Sequence, residues 1–278
     1  MQHQSLFLRI ARCSTALCLP LVLAACWGAN TTPLKAASTA SIPTRFANYR
    51  LDFIAPFQGS YAGLCNTVGS TAFTQSALTI SRLGAFTTPI GSFDFTSPST
   101  SLIITDSLGG SIPIGYSIEA TMNMKNSNWV SSIYWKDHAG IFRQDTASYT
   151  NSTLNGCSVG KGVAATSLAA PVSLTAIATT IMQQARGSCA QLPFGATKLA
   201  YSFNKNTFYL GKNSYNLTDN LTLEGIQIDA DVTDSQAQTD SQFVYTARFS
   251  GNNSIAIYYS QKHHVHQLIL NGQMYGCS

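Results

Sequence analysis

The sequence predicts an all-β protein made of two tandem, duplicated small antiparallel units. Each is expected to be a barrel or sandwich closed by one disulfide, with a short helix before the second unit. Three observations carry this expectation. Markers recur in the same order in two halves of the chain. Four cysteines remain beyond a short apolar front segment and the cysteine that ends it. Short runs rich in β-branched and aromatic residues alternate with Asn, Gly and Ser.

The repeat comes first. One half opens with YAGLC at 61–65 and closes with NGCS at 155–158; the other opens with ARGSC at 185–189 and closes with YGCS at 275–278. Between these ends lie IYW at 133–135 and IYY at 257–259. Cys65 to Ile133 and Cys189 to Ile257 both span 68 residues. The Cys-to-Cys spans are 92 and 88, so the second half is shorter only after that marker. Three markers in one order at this spacing argue for a duplicated domain. Duplication then chooses among the three pairings open to four cysteines. It selects Cys65–Cys157 and Cys189–Cys277, each tying the first strand of a unit to its last. Loops of this length are worth about 4–5 kcal/mol in the chain-entropy model.

The strands follow from residue type. SLIIT (101–105), YSIEATM (116–122), WVSSIYW (129–135), FVYTARF (243–249) and SIAIYY (254–259) largely alternate. NSN at 126–128 and SGNNS at 250–254 read as hairpin turns. One helix is expected within 171–187, where Leu174, Ile177, Ala178, Ile181, Met182 and Ala185 fall at helical spacing. Ser173 suits its N-cap, Arg186 its last turn and Gly187 its C-cap. The counterpart LDFIAPFQG (51–59) is less clearly helical because of Pro56. The opening FQGSYAGLC is similar in style to the first strand of small β-barrel lipoproteins.

The front of the chain reads MQHQSLFLRIARCSTALCLPLVLAAC. Arg9 and Arg12 precede an apolar run from Ser14 to Ala25, too short to span a bilayer as a stable helix. That is the build of a secretory signal, excluded from fold reasoning. Leu23-Ala24-Ala25-Cys26 resembles the lipobox of bacterial lipoproteins. The resemblance implies removal of residues 1–25 and acylation of Cys26, with three chains in Gram-negative bacteria, enough for durable anchoring. In that class an Asp after the cysteine retains the protein at the inner membrane; Trp27 implies delivery to the outer membrane. Residues 26–45, rich in Ala, Ser, Thr and Pro, read as a flexible tether. The expected organisation is then unit 1 over 46–160, a linker with the short helix over 161–188, and unit 2 over 189–278.

Composition excludes some functions. Only 10% of residues are charged, and removing Arg9 and Arg12 lowers the formal charge from +4 to +2. No basic run interleaved with aromatics is present, so nucleic acid is not an expected partner. The cysteines form no CxxC pair, and there is no GxSxG or HExxH motif. GCSVGKG at 156–162 lacks the spacing of a phosphate loop. No cofactor is expected.

Three groups of residues are candidate sites. QKHHVHQ (261–267) holds three of the five histidines. His264 and His266 are two apart on an expected strand and could share a face and begin a metal site. The alternative is an exposed hairpin tip aligned with DHAGIFR (137–143). DADVTDSQAQTD (229–240) concentrates four of the twelve acids. Asp229, Asp231 and Asp234 could ligate calcium, although the EF-hand pattern fails; the alternative is a polar loop. Trp129, Trp135 and Tyr259 could stack on sugar rings if exposed, but their recurrence in both halves points to core packing.

The expected function is a non-enzymatic, outer-membrane-anchored lipoprotein that binds a protein, glycan or envelope component. Alternatives are a hydrolase or hydrolase inhibitor acting on envelope polymers, and a structural accessory of envelope assembly. Paired carboxylates of shifted pKa in a deep pocket would favour the enzyme.

Overall fold

The computed structural model describes residues 44–65, 74–88, 91–109, 114–124, 127–138, 143–150, 153–157, 173–193, 195–229, 242–262 and 264–278. The first element is helix α1, Thr44–Ile54, running into a single 3-10 turn at Ala55–Phe57. Tyr49, Phe53 and Phe57 recur every four residues and are buried, so one stripe of this segment faces the core. Pro56 lies in the first positions of the 3-10 turn, where its missing N–H costs little. The helix therefore lies upstream of Pro56 and begins within the stretch read as tether.

Among the described residues nine strands follow: β1 Gly59–Cys65, β2 Thr74–Ile80, β3 Ala85–Thr88, β4 Gly91–Asp94, β5 Thr100–Ser107, β6 Gly115–Met124, β7 Ser127–Lys136, β8 Arg143–Thr150 and β9 Thr153–Cys157. Helix α2, Leu174–Met182, precedes nine more among the described residues. These are β10 Arg186–Gln191, β11 Lys198–Asn204, β12 Thr207–Leu210, β13 Asn213–Asn216, β14 Leu221–Ile228, β15 Gln242–Phe249, β16 Ser254–Ser260, β17 His264–Leu270 and β18 Gln273–Cys277.

Helix α2 is shorter than its sequence pattern. Ser173 is its N-cap and accepts from the Ala176 N–H at 3.1 Å. Arg186 and Gly187, expected in its last turn and cap, instead open β10. The reason is close packing. A Cβ at Gly187 would run into the Ser278 carbonyl and the Tyr201 ring.

All the described ladders are antiparallel. In the first half β1 through β4 pair in succession, as do β5 through β9, and β9 returns to β1 with Cys65 opposite Cys157. The second half repeats the scheme. β10 through β13 and β14 through β18 pair in succession, and β18 returns to β10 with Cys189 opposite Cys277. Cys189 and Cys277 are joined by a disulfide, with Cα atoms 4.0 Å apart. β5 pairs with β14, Ile104 opposite Ile226, and so joins the halves.

Among the described residues these ladders do not close into a barrel. Each half is nevertheless strongly rolled. β4 and β5 end opposite runs of the ladder order, yet only residues 95–99 connect them. Five residues reach at most roughly 18 Å, whereas nine flat strands would measure about 38 Å across. The curl leaves β5 free to pair with β14. Along that join Leu102, Ile104, Ile226 and Ile228 are buried. One hydrophobic cluster takes in side chains of both halves and both helices. Among the described residues no helix is long and apolar enough to cross a membrane.

Candidate functional site

The most unusual chemistry lies along the join of β5 and β14, on the buried face. Strand alternation carries Leu102 and Ile104 inward, and Asp106 follows in phase. The opposite strand brings Glu224, Ile226 and Ile228 inward. Asp106 and Glu224 are direct cross-strand partners, and both are 2% exposed. Two carboxyls side by side in a dry interior are costly unless each is compensated.

Compensation differs between them. Glu224 accepts the backbone N–H groups of Leu174 and Thr175 through its two oxygens, each at 2.8 Å. These are free donors at the N-terminus of α2, where a negative charge is favourable. Asp106 instead meets His138 Nε2 at 2.6 Å. His138 follows β7 with a left-handed backbone, φ 58°, after Asp137 at φ 53°. Its ring packs edge-on against Tyr116, centroids 4.4 Å apart. Burial pushes the Asp106 carboxyl up to about 6; the His138 hydrogen bond and charge pull it down, and the Glu224 charge pushes it further up. Behind Glu224, the Thr175 and Tyr245 hydroxyls lie 2.7 Å apart. Burial raises the Tyr245 phenol well above its ordinary range, opposed by Thr175 and reinforced by Glu224.

The other end of the join is held by α1. Arg50 is fully buried. Its Nη1 donates to the Thr100 carbonyl at 2.5 Å and its Nη2 to the Asp229 carbonyl at 2.8 Å. One guanidinium thus reaches both halves.

This cluster was not among the sequence candidates. Its signal was present: extending the alternation of SLIIT by one step places Asp106 in phase with Leu102 and Ile104. The partnership with Glu224 and His138 depends on strand pairing that sequence spacing does not reveal.

The sequence candidates fare differently. Trp135 and Tyr259 are buried in the core, as their recurrence suggested, so neither offers an exposed stacking platform. Trp135 packs on Phe57 and Tyr61, with centroids 5.4 and 5.7 Å away. Tyr259 packs on Phe243 and Tyr49 at 5.3 and 6.3 Å. The side chain of Trp129 lies outside the described residues. His264 is exposed, sits at φ 55° and packs near Tyr259; His266 packs near Tyr258. A register shift between Tyr258 and Tyr259 interrupts the regular pleat on which a shared face depended. Among the described residues no three His, Cys, Asp or Glu side chains form a group able to hold a metal. The Asp229 carboxylate accepts from Gln227 Nε2 at 2.9 Å. Asp231 and Asp234 lie outside the described residues.

Compared with known proteins, the chain matches no family model, no curated protein and no solved structure.

Proposed function

We propose that this protein is an outer-membrane lipoprotein, acylated on Cys26, whose β-structure binds a protein, glycan or envelope component without catalysing a reaction. The observation that carries the reading is Leu23-Ala24-Ala25-Cys26 at the end of a short apolar run with basic residues before it. The packed interior supports it. Phe53, Ile54 and Phe57 of the first helical segment and Leu174, Ala178 and Met182 of α2 are buried among strand side chains. The outer surface is then the face offered to a partner. The shared strand order of the halves supports descent from one duplicated unit, and Cys65 opposite Cys157 supports a second bridge. Two related units give two-point binding through raised effective concentration.

The decisive experiment is intact mass and non-reducing peptide mapping of protein extracted from its native membrane. The expected result is a mature chain beginning at acylated Cys26, with bridges 65–157 and 189–277. An unmodified Cys26 would overturn the anchor, and a 157–189 bridge would overturn the duplication.

A second reading, a hydrolase of envelope polymers, draws on the Asp106–Glu224 pair and the raised Asp106 pKa. Geometry favours it less. Glycosidase carboxyls flank a bond with room for substrate or water between them, whereas these two are neighbours on adjacent buried strands and Glu224 is occupied by α2. Release of reducing sugar by the wild type and not by Asp106→Asn would favour the hydrolase.

A further inference from the structure

We propose that the join between the two halves is a proton-responsive latch, in which His138 and Asp106, facing Glu224 across β5 and β14, hold that end tightest in acid and loosen it as pH rises to neutrality. The proposal stands on geometry. Asp106 and Glu224 are opposite each other on the ladder that joins the halves. Glu224 is already engaged as a negatively charged cap of α2, so any charge on Asp106 faces a like charge across the join. His138 is the group that offsets it, at 2.6 Å. Its side chain is 26% exposed while that of Asp106 is 3% exposed, so the pair meets solvent on the imidazole side.

The protonation states order themselves. With its proton in place, Asp106 is a neutral partner of His138 and puts no charge opposite Glu224. When that proton leaves, Asp106 sets a carboxylate opposite Glu224, and His138 offsets it from one side only. Two like charges on adjacent strands then push the ladder apart. The folded carboxyl of Asp106 titrates near 6 instead of near 3.8. A raised folded value means stabilisation fully present below about pH 4 and lost as pH rises through about 6.

Other elements bring few ionisable groups to the cluster. Tyr116 of β6 packs on His138. Tyr245 of β15 reaches Glu224 through Thr175, and its phenol is raised further from neutrality. Helix α2 carries no charged residue. Asp137, beside His138, is exposed. Arg50 is engaged at the opposite end of the join, on the carbonyls of Thr100 and Asp229.

The test is amide hydrogen exchange of the full chain at pH 5.5 and pH 8, corrected for intrinsic exchange, read at 101–107 and 222–228 against β11 as an internal control. The wild type is expected to lose about fourfold in protection at those segments on going to pH 8, with β11 unchanged. Asp106→Asn, which mimics the protonated acid, is expected to show equal protection at both pH values. His138→Gln keeps a hydrogen-bonding side chain without the ionisable ring. It is expected to move the loss to higher pH, because Asp106 then lacks a cation. Equal wild-type protection at the two pH values overturns the latch, as does an Asp106→Asn protein that keeps the wild-type pH dependence. Should Asp106→Asn not fold, an unmoved midpoint in His138→Gln overturns it alone.

Discussion

Replacing Glu224 is the sharpest probe of how the join is built. Its two oxygens accept from Leu174 and Thr175 N–H groups, both at 2.8 Å and both buried. Glu224→Ala removes both acceptors at once. An orphaned buried N–H costs about 1–3 kcal/mol, so two cost about 2–6. Part of this is returned, because Asp106 loses its like-charged neighbour. The net expectation is a loss of about 2–4 kcal/mol. Glu224→Gln keeps one carbonyl acceptor but turns an amide donor toward the second N–H, so the loss should be about 1–2 kcal/mol. Ser173 still caps the helix in both variants, through its 3.1 Å contact with Ala176. Urea unfolding at pH 7, followed by circular dichroism with m-values checked for constancy, measures both losses. A Glu224→Ala protein within about 0.5 kcal/mol of wild type would refute the capping argument.

Three further outcomes are expected. Changing Cys189 and Cys277 together to Ser opens a loop of 88 residues and should cost up to about 4–5 kcal/mol in denaturant melts; no difference between oxidised and reduced wild type would contradict it. Arg50→Met keeps the apolar stem but removes the donors to Thr100 and Asp229, and should cost about 2–3 kcal/mol by thermal unfolding; a neutral result would mean that the guanidinium is not holding the join. Gly187→Ala should destabilise by at least about 1 kcal/mol, because the methyl meets the Ser278 carbonyl and the Tyr201 ring; a gain in melting temperature would show that the chain end yields freely.

The sequence made the all-β class legible through its long alternating runs. SLIIT, YSIEATM, WVSSIYW, FVYTARF and SIAIYY all lie in the strands of the structure. Shorter strands such as β3, β4, β12 and β13, four residues each, escape that reading because two turns of alternation are too few to separate from loop. Helix α1 was obscured by Pro56, which belongs to the 3-10 turn that ends it. The aromatic alternatives resolved as repetition had suggested, with Trp135 and Tyr259 in the core. The Asp106 cluster stayed hidden for a different reason. Its members come from β5, the end of β7, β14 and α2, brought together by a ladder between residues about 120 apart in sequence. Local spacing carries no trace of such a pairing.

That same ladder sets an order of events for the folding chain. Most pairings here join consecutive strands through short turns, so they form from segments close together and lose little loop entropy. The pairing of Ile104 with Ile226 cannot form until nearly all of the intervening chain has been placed. Each half should therefore curl first and meet the other last. Until then β5 and β14 are open edges with matching apolar faces, in every molecule of a refolding solution. An edge that fits its counterpart in the same chain also fits the one in a neighbour. Refolding yield should fall with protein concentration, and the larger species should be chains that have exchanged halves.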